Sequence, residues 1–97
     1  MTVGELRESA KGPPAGATAA LFALWHDARG DWARAHEAAQ GDGTAQGAWV
    51  HAYLHRKEGD IGNAGYWYRR AGRPVPRCGL DAEWAEIAGE LLGPGGA

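Results

Sequence analysis

Apolar residues along this chain recur three and four positions apart, the spacing of one helix face, and glycine-rich breaks divide them into short runs. From Ala17 to about Ala28, Leu21, Leu24, Trp25 and Ala28 share one face while Phe22 points away, predicting a helix apolar nearly all round. Gly30 then turns the chain, and Asp31 is suited to cap a second helix running through Gln40. After the break Gly41-Asp42-Gly43, Thr44 caps a third helix to about Glu58. Gly59-Asp60 repeats the earlier turn, and a fourth helix runs to Ala71, where Gly72-Arg73-Pro74-Val75-Pro76 forbids continuation. Asp81 is expected to cap a last helix with Trp84, Ile87, Ala88 and Leu91 on one face, stopped by Gly93-Pro94-Gly95-Gly96. Residues 1–16 hold only a weak pattern, Val3 and Leu6, and end in Gly12-Pro13-Pro14-Ala15-Gly16, so they read as a flexible arm. The expectation is a single all-α domain over 17–92, with a disordered tail over 93–97.

The two Gly-Asp turns, Gly30-Asp31 and Gly59-Asp60, stand 29 residues apart, and at the same offset Ala23 matches Ala52, His26 matches His55 and Ala35 matches Ala64. Alanine in the middle of one helix and near the start of the next lets two backbones approach closely, which is the requirement of a tight antiparallel hairpin. The pattern Ala52, Gly59-Asp60, Ala64, Tyr68, Ala71, Pro76 resembles a tetratricopeptide repeat, and the Trp67-Tyr68-Arg69-Arg70-Ala71 ending is similar to the related Sel-like repeat. The second hairpin, 45–76, carries the match. The first, 17–40, is a degenerate version, with Ala39 where an aromatic is expected and nothing equivalent to Ala71. The resemblance covers roughly 60 of the 97 residues. It implies two tetratricopeptide-like hairpins closed by a C-terminal capping helix, and a protein or peptide bound on the concave face that the first helix of each hairpin lines.

Composition sharpens this picture. Hydrophobic residues are 44% and charged residues 23%, a globular balance, but alanine and five tryptophans carry the burial in place of β-branched residues. Helices packed through alanine, with tryptophan filling the gaps, suit such a set. The net charge of −2 removes the electrostatic drive toward nucleic acid or an anionic membrane. No run approaches the roughly 18 apolar residues of a span, and no signal peptide opens the chain, so a cytoplasmic protein is expected. Cys78 is alone, which excludes an intramolecular disulfide and a cysteine metal cage and leaves an inert thiol as the plain expectation.

Three constellations carry candidate chemistry. At about 100° per residue, His51, His55 and Glu58 fall within roughly 60° of one another on the third helix. His36 stands beside Trp32 on the second helix, and His26 occupies the position equivalent to His55. A set of His51, His55 and Glu58, completed by His36 or His26, offers ligands for zinc or another divalent transition metal. With an open coordination position it also offers metal-dependent hydrolysis. Without metal, two imidazoles near a carboxylate suit acid–base work. The zinc-protease motif is absent, since Ala52 stands where its glutamate is required. The plainer alternative, histidines bridging helices by hydrogen bonds, leads on the sequence alone.

The second constellation is Arg69, Arg70 and Arg73 at and beyond the end of the fourth helix, with Arg77 following, a candidate anion or small-ligand patch. Neutralisation by Asp81, Glu83, Glu86 and Glu90 is its plain alternative. The third is the helix over 17–28, whose all-round apolarity predicts a homodimer through Leu21, Phe22 and Trp25 unless the arm or the last helix covers it. Phosphate-loop, dinucleotide and Ser/His/Asp signatures are missing. The leading expectation is therefore a non-enzymatic interaction module without a cofactor, binding a protein or peptide through Trp49, Tyr53, Arg56 and Lys57. The alternative is the His/Glu metal- or small-ligand site.

Overall fold

The computed structural model describes residues 1–93, and these form six helices: α1 Val3–Glu8, α2 Ala19–Ala28, α3 Trp32–Gln40, α4 Ala45–Lys57, α5 Ile61–Ala71 and α6 Leu80–Leu92. The protein is all-α. Helices α2–α3 and α4–α5 make two hairpins, and their turns are built alike. Gly30 and Gly59 take positive φ (81° and 87°), and the amides of Gly30 and Asp31 close on the carbonyls of Asp27 and His26. The amides of Gly59 and Asp60 close likewise on Arg56 and His55. Each is a Schellman-type ending whose last residue, Asp31 or Asp60, also caps the following helix through its side chain. The four alanines expected at the hairpin contacts, Ala23, Ala35, Ala52 and Ala64, are buried, and α4 and α5 lie against each other along their length.

Helix α4 is the central element. It packs on α2, α3, α5 and α6, and eight consecutive residues from Gly47 to Leu54 are buried. A helix buried all round has no solvent face left to be amphipathic.

Two expectations are corrected here. The 1–16 segment is not a loose arm, because α1 has formed within it, started by a capping box between Thr2 and Glu5. Its Leu6 is fully buried, α1 packs on α2 and α6, and Ser9 accepts the indole N–H of Trp25 at 2.8 Å. Helix α6 begins at Leu80 behind Gly79, so Asp81 lies in its first turn and does not cap it. The tail expected to be disordered lies, apart from Gly93, outside the described residues. No helix among those described is long and apolar enough to cross a membrane.

Candidate histidine cluster and its surroundings

Three histidines meet between α3 and α4. His51 and His55, one turn apart on α4, stack with ring centroids 4.8 Å apart and planes at 22°. His36 of α3 stands edge-on to both, at 4.6 Å and 5.1 Å. Two tryptophans hold the set. Trp32 stacks on His36 at 4.9 Å and donates its indole N–H to the Leu54 carbonyl at 2.9 Å, pinning α3 across α4. Trp67 of α5 stacks on His51 at 4.0 Å from the other side.

The polar atoms converge. Nε2 of His36 and Nε2 of His51 are 2.9 Å apart, a contact needing one proton shared between two nitrogens. His55 Nδ1 meets Glu58 Oε1 at 2.7 Å, which fixes the ring and leaves its other nitrogen to the cluster. One nitrogen from each of His36, His51 and His55 lies within 4.8 Å of the other two. Points so arranged are no further than about 2.8 Å from a common centre, so each nitrogen needs to move by less than about 1 Å to reach zinc–nitrogen bonding distance.

Burial first, then the neighbouring imidazoles His36 and His55, hold the His51 pKa down from its ordinary 6.5 to about 4. His36 is lowered too, by burial and by His55, against an opposing pull from Glu58. Both rings are thus neutral near pH 7, so an ion has no imidazolium charge to displace there. His51 Nδ1 is buried and finds no hydrogen-bond partner among the described residues. A buried orphan of this kind calls for a reason.

No family model, curated protein or solved structure matches the chain.

The other expected site residues lie elsewhere. His26 does not join the cluster. It lies edge-on to Trp25 and lines an open groove between α2 and α3 with Arg34 and Glu37. Trp49 and Tyr53 are only 3% and 2% exposed and cannot present a partner-binding face. The Trp49 indole donates to Glu83 at 3.3 Å, and the Tyr53 hydroxyl donates to Asp27 at 2.7 Å. Arg56 pairs with Glu83 at 2.8 Å and with the Cys78 carbonyl, while Lys57 pairs with Asp27 at 2.7 Å. All four residues are committed within the chain because α2 and α6 cover that side of α4.

The three arginines do not form one patch either. Arg73 stacks over Trp49 at 3.5 Å and pairs with Glu90. Arg69 is exposed, and Arg70 lies over Tyr66 and Trp67. The homodimer surface is likewise reduced. Leu21 is buried, and Trp25 is bridged to Ser9 and overlaid by Arg29, leaving Phe22 exposed. Trp32 lies against His36, as its spacing of four predicts. The place of Trp67 against His51 and the burial of Asp27 and Glu83 are what sequence reasoning missed, and for the two acids no pattern in the sequence marks them as buried.

Proposed function

We propose that this protein binds one divalent transition-metal ion through His36, His51 and His55, with Glu58 orienting His55 from outside the coordination shell. The observation that carries this reading is the convergence of three imidazole nitrogens within 4.8 Å, backed by the carboxylate on His55 Nδ1. A carboxylate behind a histidine raises its basicity and sets its tautomer, the usual support of a metal-ligating imidazole. The donor set is all nitrogen and intermediate in softness, which suits zinc, and copper(II) more tightly still. Three protein ligands leave a further position on such an ion, where it supplies Lewis acidity. The reading is of a metal-binding protein. The tetratricopeptide-like hairpins are, in this proposal, the rigid frame that sets α3 against α4. The single thiol and the net charge of −2 fit a cytoplasmic setting. The interaction-module reading loses its support with the burial of Trp49 and Tyr53.

Cobalt(II) titration of untagged protein near pH 7.5, where His36 and His51 are neutral, tests this directly. Visible absorption should saturate at one ion per chain and be displaced by zinc. His55→Ala should abolish it with helicity intact by circular dichroism, and Glu58→Ala should weaken binding by about 10–100-fold. Absence of saturable absorption in the unaltered protein, or equal binding by His55→Ala, contradicts the proposal.

A further inference from the structure

Beside the histidine cluster, on the far side of Trp67, a cleft of about 250 Å³ opens between the start of α4 and the outer face of α5. Trp67 and Arg70 form one wall, and Gln40, Thr44 and Ala48 lie among the residues opposite. Four of the five tryptophans spend their indole N–H on the protein: Trp25 on Ser9, Trp32 on Leu54, Trp49 on Glu83 and Trp84 on Leu24. Among the described residues the Trp67 N–H donates to nothing and is open to solvent. The Arg70 guanidinium also has no carboxylate partner among them. It rests over the rings of Tyr66 and Trp67, at 5.8 Å and 5.3 Å, and donates to the Tyr66 hydroxyl at 3.2 Å, which leaves most of its fork free.

The one carboxylate in the wall, Asp42, is engaged within the chain. Its Oδ1 accepts from the amide and hydroxyl of Thr44, and its Oδ2 accepts from the Ala20 amide. Asp42 therefore ties the starts of α2 and α4 together. The donors that the wall leaves to a ligand include the Arg70 guanidinium and the Trp67 indole N–H. A stacked guanidinium without a carboxylate partner, at the rim of a recess, matches a ligand that brings acceptors and negative charge. The volume is below that of pockets for drug-sized molecules, so the ligand is small.

We infer that this cleft is a binding site for a small oxyanion, a phosphate or the carboxylate of a small metabolite, held by Arg70 and the Trp67 indole N–H. The inference does not rest on the metal reading, since neither residue is a proposed ligand to the ion, although Trp67 stacks on His51.

The test is nitrogen–proton NMR of metal-free protein, reading the indole resonances, with Trp67→Phe identifying the one that belongs to Trp67. Addition of inorganic phosphate or of acetate, against chloride at matched ionic strength, should shift the Trp67 indole resonance saturably. The stronger of the two ligands names the class. Arg70→Gln should weaken that binding by tenfold or more, as loss of a charge-assisted contact requires, while the other four indole resonances stay in place and report an intact fold. A Trp67 resonance that moves no more with either oxyanion than with chloride overturns the inference. So does a shift that survives Arg70→Gln unchanged.

Discussion

Glu83 has no exposed surface, and donors from three places meet its two oxygens: Arg56 and Trp49 from α4 and the Tyr68 hydroxyl from α5, the last at 2.5 Å. Burial and the Glu83 hydrogen bond together push the Tyr68 hydroxyl well above the usual tyrosine range. Burial of a carboxylate is costly unless it is paired and hydrogen-bonded, and here three donors meet its two oxygens. Glu83→Ala leaves the Arg56 charge without its partner and strands two ring donors, so urea denaturation should show a loss of about 3–5 kcal/mol. A loss below about 1 kcal/mol would mean that water reaches the network.

His51 makes a second residue-scale prediction. Its folded pKa of about 4 lies below the ordinary 6.5, so between these values the unfolded chain binds a proton that the folded metal-free protein refuses. Stability is complete above the upper value and is lost as pH falls toward the lower, by about 3 kcal/mol at most. Urea midpoints of metal-free protein measured across that range should fall with pH, and His51→Gln should flatten the fall. An equally steep profile in His51→Gln would assign the loss to other groups.

At the scale of elements, α1 shows where pattern reading stops. Six residues with two apolar positions carry no usable period, and the segment reads as an arm. Yet Thr2 and Glu5 stand at capping-box spacing, a signal that was there to be used. What the local sequence cannot supply is the docking site, since Leu6 is buried only because α2 and α6 lie beneath it. Leu6→Ala should therefore cost about 2–5 kcal/mol, the price of a fully buried leucine, measured as a shift in the urea midpoint. A cost near zero would return the segment to a loose arm. The helices bounded by Thr18, Asp31, Thr44 and Asp60 were legible for the opposite reason, since their caps and the positive-φ glycines are local signals. Helix α4 was misread in one respect. Its Trp49 side looked open because the covering face of α6 includes Glu83, a charge that hydrophobic periodicity assigns to solvent.

For the whole molecule, the same division explains the site. His51, His55 and Glu58 belong to one helix face, so their proximity follows from helical spacing, and the structure keeps it. His36 joins only through the packing of α3 on α4, set by the Trp32 bond to Leu54, which no spacing within one helix encodes. Packing of one hairpin on the other thus converts an ordinary His-x-x-x-His pair into a three-imidazole cluster walled by two indoles. The most direct measurement of that claim is native mass spectrometry of untagged protein prepared without chelators and supplied with equimolar zinc. The account predicts one retained zinc per chain, released by acid and absent from His51→Gln. A chain that emerges at its bare mass under these conditions, or one that holds zinc equally well without the His51 imidazole, contradicts it.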